Sequence, residues 1–195
     1  MKSDKLDRRV RYSQMMLKQA LIDMMADEPV SRITIKDICE RADVNRGTFY
    51  AHYADQYELL DDIQDELDAE IKAVLARSHG SVTEVVTAIL GTFANHQALC
   101  RVLFGPYGDA AFIGKVMNNA RPQFIEQWTA KVQPADASEL DRFYLYAASG
   151  IAAVMQNWLQ GDMAQPPQEL ALFIDKALNH GLGAFVAPPG TQTVG

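Results

Sequence analysis

Apolar residues recur at helical spacing along nearly the whole chain, and no stretch shows the strict alternation of a half-buried strand. Leu17, Ala20, Leu21 and Met24 fall at i, i+3, i+4 and i+7. That stripe predicts a first amphipathic helix over roughly 10–26, with Pro29 beyond its end. Thr34, with Asp37 three residues on, predicts an N-cap for a short helix reaching about Arg41, with Ile35 and Ile38 turned inward. Ala42-Asp43-Val44 reads as a turn, after which Asn45 caps a second short helix opening Arg46-Gly47-Thr48. Asp55 and Glu58 form the next capping pair, starting a long helix to about Arg77 with Leu60, Ile63, Leu67, Ile71 and Val74 on one face. Its other face carries Asp61, Asp62, Asp65, Glu66, Asp68 and Glu70, which reads as a solvated face rather than a cation site.

Gly80 interrupts the pattern, and Ser81 with Glu84 predicts a cap for a helix over roughly 82–95, followed by a shorter one over about 97–104. Gly105-Pro-Tyr-Gly108 is a turn. Helical spacing resumes over 109–132 through Phe112, Val116, Phe124 and Trp128, with Pro122 expected to kink or split it. Asp136 and Glu139 predict a cap for a long apolar helix to about Gln160, ended by Gly161. Pro166-Pro167 introduces a last helix to about Phe185, and residues 187–195 read as a disordered tail. The fold class is therefore all-α: a three-helix head over 1–57 with a helix-turn-helix at about 34–53, a long connecting helix, and a larger helical body over 58–186.

At 195 residues, 48% of them hydrophobic, the chain has mass for a true core and is far from disordered composition. It has no apolar run near the roughly 18 residues of a membrane span, and its first residues lack an apolar signal core. The expectation is a soluble cytoplasmic protein. Cys39 and Cys100, isolated inside apolar patterns, read as reduced buried thiols. The net charge of −7 speaks against nucleic acid until its distribution is seen. Residues 1–50 hold ten Lys/Arg against eight Asp/Glu, whereas 51–195 hold eight against seventeen. A mildly basic head on an acidic body suits a protein whose head alone meets phosphates.

The second short helix crowds small, basic and hydrogen-bonding groups into two turns: Arg46, Gly47, Thr48, Tyr50, His52 and Tyr53. A helix entering the major groove needs such an edge. Arg46 suits guanine O6/N7 or a phosphate, and Thr48 a thymine methyl or a phosphate. Gly47, a poor helix former, points to close backbone approach. Tyr50 and His52 suit phosphates, Phe49 packs inside, and Tyr53 fits either place. Lys36 is a phosphate candidate near the start of the supporting helix. Arg8, Arg9 and Arg11 make either a groove-reaching arm or a disordered basic end.

The residues Met16-Leu-Lys-Gln-Ala-Leu21, Ile33-Thr-Ile-Lys-Asp-Ile38, Ala42-Asp-Val-Asn-Arg-Gly-Thr-Phe-Tyr50, His52-Tyr53 and Glu58-Leu-Leu60 resemble the tetracycline-repressor (TetR) family of bacterial transcriptional regulators. In the body, Leu103-Phe-Gly-Pro-Tyr-Gly-Asp-Ala-Ala-Phe112, Gly150, Trp158-Leu159 and Pro167-Gln-Glu-Leu170 are similar to the subset resembling the regulator of dihydroxyacetone kinase. The resemblance implies a homodimer on a palindromic double-stranded DNA operator, most commonly a repressor, released by a small-molecule effector bound in the body. Position by position it puts Arg46, Gly47, Thr48, Tyr50 and His52 on DNA, with Thr34 meeting the backbone at the supporting helix. Asn45 joins this edge as its cap. Where such proteins carry a phosphate-contacting Lys at the start of the fourth helix, this chain has Gln56.

For the effector pocket the candidates are Phe93, Phe104, Tyr107, Phe112, Met117, Phe124, Trp128, Tyr144, Met155 and Trp158, set against ordinary core packing. The dimer is expected through helices 139–160 and 168–185, where Ala147, Ala148, Ser149, Gly150, Ala152 and Ala153 permit close approach. Packing within one protomer is the competing account of that run. No cofactor is expected. His96 and Cys100 stand at i, i+4 without the second ligand pair a metal needs. No nucleophile elbow, phosphate loop, dinucleotide loop or zinc-protease motif appears, so an enzyme is the least favoured class. A helical module binding a protein partner is the other alternative.

Overall fold

The computed structural model describes residues 2–78, 81–131 and 137–181. The Gly80 break, the Asp136 cap and the 187–195 tail lie outside the described residues. Helices α1 (Lys2–Met25), α2 (Ile35–Ala42) and α3 (Arg46–Tyr50) make the head, with a single 3₁₀ turn at Val30–Arg32 between the first two. Helix α4 (Gln56–Arg77) leads into the body: α5 (Val82–Asn95), α6 (Gln97–Leu103), α7 (Ala110–Lys131), α8 (Ala137–Gln160) and α9 (Pro167–His180). Among the described residues there is no strand, so the all-α expectation holds. None of the helices among the described residues is long and apolar enough to cross a membrane.

The caps form as the side chains dictate. Thr34 Oγ1 accepts from the Asp37 N–H at 3.2 Å and donates back to the Asp37 carboxylate. Asp55 Oδ1 accepts from the Tyr57 and Glu58 N–H groups, both at 2.9 Å, while Glu58 takes the Ala54 N–H, closing a box at the start of α4. Ser81 accepts from the Glu84 N–H at 3.3 Å. Asp43 ends α2 in the left-handed region at φ 52°, a conformation Asp tolerates better than most residues. In the turn between α6 and α7, a Cβ on Gly108 would lie 2.0 Å from the Leu103 carbonyl oxygen, so only glycine fits.

One apolar core runs through head and body. Leu17, Leu21, Ile38 and Phe49 close the head, and Leu67, Ile71, Val85, Phe93 and Phe112 the body, all essentially without solvent contact. Helix α4 belongs to both: it packs on α1 at one end and on α5 and α7 beyond it. A boundary at residue 57 therefore does not coincide with a break in the packing.

Four expectations need correction. Helix α1 begins at Lys2, so Arg8, Arg9 and Arg11 stand exposed on a helix rather than in an arm or a disordered end. Pro122 neither ends nor splits α7, because Phe112, Val116, Ala120, Phe124 and Trp128 bury one unbroken stripe on both sides of it. Helix α9 stops at His180, where Gly181 turns to φ 55°, short of the expected Phe185. The acidic face of α4 is solvated at Asp61, Asp65, Glu66 and Glu70 as expected, but not at Asp68. Asp68 is 3% exposed and held by Lys72 and Lys115 at 2.8 and 3.2 Å and by Asn119. Asp62 and Glu66 pair with Lys18, Asp65 with Lys115, and Glu70 with His96. Lys72 is an i, i+4 partner on α4 itself, whereas Lys18, Lys115 and His96 come from elsewhere in the fold, which sequence spacing along α4 does not reveal.

Candidate nucleic-acid interface

Helices α2 and α3 build the candidate interface from their caps outward. Asn45 Oδ1 accepts from the Thr48 N–H at 2.8 Å and from its hydroxyl at 3.1 Å, fixing the first turn of α3. Phe49 is fully buried, which turns the other side of this one-and-a-half-turn helix outward. On that side Asn45, Arg46, Gly47 and Tyr50 are exposed, with Thr48 and His52 half-buried. Tyr50, 59% exposed, rests edge-on against the Phe49 ring, so the phenol has a firm base and a free tip. Arg46 has no ion pair among the described residues, whereas Lys36 pairs weakly with Glu40 at 3.7 Å. Lys36, Cys39, Glu40, Asp43, Val44, Asn45 and Arg46 line an open concavity of about 700 Å³ along the two helices. Thr34 is exposed at the start of α2.

Gly47 has an internal role as well. A methyl on Gly47 would stand 3.2 Å from Asn45 Oδ1, so the glycine also protects the cap. Tyr53 does not belong to the outward edge. It is 4% exposed, packs against Phe49 at 5.8 Å between ring centroids, and donates its phenol to Asp62 Oδ2 at 2.8 Å. Burial and then the Asp62 carboxylate push that phenol well above its ordinary range, so it stays a donor. Gln56, in place of a cation, is half-buried as the first residue of α4.

The ten pocket candidates do not surround one cavity. Phe93, Phe104 and Phe112 stack tightly, with ring centroids 4.8 and 6.0 Å apart, as filled core. Met117, Phe124, Tyr144 and Met155, with Val86, Ile89, Ala120, Ala148 and Ile151, line a narrow apolar cavity of about 10 Å³. That is room for about one water. Trp128 packs behind it on Phe124 and Phe143. Trp158 donates to the Gln165 carbonyl at 2.8 Å under an outer depression between α8 and α9. Tyr107 is 43% exposed on its turn. His96 bonds Glu70 at 2.8 Å, and burial pushes the Cys100 thiol up to about 12.

A second surface lies on the body. Ala147 and Ala148 pack inside the protomer, but Ser149, Gly150 and Ala153 face outward. Around them Phe143, Leu145, Tyr146, Leu172 and Phe173 are exposed, Tyr146 to 76%, beside a largely apolar groove of about 440 Å³ between α8 and α9. Sequence reasoning singled out the small residues and missed the aromatic rim, although its i, i+3 spacing at Phe143 and Tyr146 was visible.

Comparison with known proteins accords with this geometry. Residues 19–63 match the bacterial regulatory proteins of the tetR family, and residues 80–180 match a transcriptional regulator C-terminal region of TetR type. An uncharacterized HTH-type transcriptional regulator of Bacillus subtilis (strain 168), YxbF, is 27% identical over 178 residues, covering 87% of this chain. The chain spans 45% of that relative's length. A TetR transcriptional regulator from Streptococcus agalactiae 2603V shares the fold with a TM-score of 0.69 at 19% identity, over 90% of this chain and 98% of that one. The dihydroxyacetone kinase operon activator DhaS does so with a TM-score of 0.55 at 20% identity, over 85% and 93%. With the C-terminal match alone spanning more than half of the sequence, the chain belongs to the tetR family, whose members are transcription regulators and not enzymes.

Proposed function

We propose that this chain binds a two-fold symmetric DNA operator as a homodimer and represses transcription until a small molecule enters its body. The observation that carries the reading is the outward edge of α3: a capped helix anchored by Phe49, with Arg46 and Tyr50 both exposed. In this reading α3 lies in the major groove. Arg46 meets a guanine edge or a phosphate, the Thr48 methyl faces a thymine, and Tyr50 and His52 hold phosphates. Gly47 allows the backbone to approach, while Thr34, Lys36 and the side-chain amide of Asn45 meet the flanking strand. The exposed α8–α9 face supports the dimer, since a self-complementary apolar patch is what a two-fold interface requires.

The effector reading rests on the cavity around Met117, Phe124, Tyr144 and Met155. It holds only about 10 Å³, and a ligand must part α7 from α8, which Arg121–Asp141 and the Tyr144 phenol on the Met117 carbonyl now hold together. DhaS is named as an activator, so the sign of regulation is tested directly with a reporter: deletion of this gene should raise transcription from the bound promoter. Binding itself is tested by gel shift and footprinting on the promoter flanking its own gene at about 100 mM salt. Two protected half-sites, one or more turns of roughly 34 Å apart, support the dimer on an operator. Absence of any shift favours a protein-interaction module instead, and a single protected half-site contradicts the dimer.

A further inference from the structure

Helix α3 has five residues, too few to hold its own direction, so its aim depends on what ties its ends. Asn45 fixes the start and Phe49 the middle. The far end is tied by Tyr53, whose N–H bonds the Phe49 carbonyl at 2.9 Å and whose phenol bonds Asp62 on α4 at 2.8 Å. The same Asp62 oxygen lies 2.8 Å from the ammonium of Lys18 on α1, and that ammonium reaches Glu66, one turn further along α4, at 2.7 Å. Three segments of the chain thus converge on one carboxylate.

We infer that Asp62 is a positioning residue for the DNA-reading helix, transmitting the placement of α4 to α3 through the phenol of Tyr53. The inference rests on the operator-binding reading for its consequence, but not for its geometry. Tyr53 and Lys18 are both largely out of water, with Lys18 15% exposed at the side chain, while Asp62 at 41% still reaches solvent, so the donors rather than the carboxylate are fixed by burial. Lys18 stays charged there, because the bonds from Asp62 and Glu66 outweigh the burial that would lower its affinity for a proton. A shift of α4 that moves Asp62 therefore moves the end of α3, while Phe49 acts as the pivot. Truncating either partner leaves the head's apolar packing in place and frees the last turn of the reading helix.

The experiment uses the full chain carrying Tyr53→Phe, Asp62→Ala and both together. Hydrogen exchange without DNA reads the link itself. Exchange over residues 49–53 should rise several-fold in each single variant and no further in the double, with α5 and α9 unchanged. Operator affinity, measured in parallel, should fall about 3- to 10-fold in each single variant and non-additively in the double. Unchanged exchange over 49–53, or losses that simply add, overturns the inference whatever the DNA result. A wild-type chain that binds no operator overturns the operator reading, and the exchange pattern still decides the link.

Discussion

The side chain of Asn45 holds Thr48 twice, accepting from its backbone N–H at 2.8 Å and from its hydroxyl at 3.1 Å. The hydroxyl is therefore committed within the free protein, which leaves the methyl of Thr48 as the group offered outward. A thymine methyl is its natural counterpart in the major groove. The cap also carries stability. Asn45→Ala should cost about 1 kcal/mol, read as a fall in Tm of roughly 2–4 °C by calorimetry. An unchanged Tm would show that α3 does not depend on its cap.

Lys36 is exposed and only loosely paired to Glu40. As a phosphate contact it carries no sequence information, so Lys36→Ala should weaken binding equally for operator and scrambled duplex. The slope of log affinity against log salt should fall by about one. A loss confined to the operator would place Lys36 on a base instead.

Asp68 joins α4 to α7 inside the body. Burial alone would raise its carboxyl, but the bonds from Lys72 and Lys115 outweigh it and hold the group below its usual 3.8. A folded-state value below the unfolded one gives stability that is complete above about pH 4 and is lost as pH falls through the folded value. Asp68→Ala should cost about 1–2 kcal/mol at neutral pH, discounted because both cations reach water. Urea titrations should show the variant converging toward wild type as pH drops below about 4. A constant gap across that range would rule out ion pairing as the source.

The outward aromatic rim of α8 and α9 invites a second copy. Tyr146→Glu combined with Phe173→Glu should yield a single-chain mass by sedimentation velocity, with the helical circular dichroism intact. A dimer surviving both charges would place its interface elsewhere.

Local chemistry made much of this fold legible from the residues alone. Thr34, Asn45, Asp55 and Ser81 each cap the helix their spacing announced, because a cap is decided within four residues. Phe49 was readable for the same reason: it falls on the inner side of a short amphipathic turn. What failed to show was decided at a distance. Asp62 and Asp68 look like surface charges on α4, and only the folded chain brings Lys18, Tyr53, Lys115 and Asn119 to them. Pro122 reads as a breaker, yet the roughly 3 kcal/mol it costs a helix is outweighed by an apolar stripe buried on both sides. The aromatics at helical spacing gave no way to separate the filled Phe93–Phe104–Phe112 stack from the cavity beside Tyr144.

The most direct test is a fluorescence-anisotropy titration of wild type and Arg46→Ala against the duplex from its own promoter and a scrambled control, at about 100 mM salt. Wild type should prefer the promoter duplex by about a thousandfold or more, and Arg46→Ala should lose roughly 1–3 kcal/mol of that binding if it reads a base. Equal affinity for the two duplexes, or an Arg46→Ala isotherm superimposed on wild type, would contradict the assignment of α3 as the reading helix.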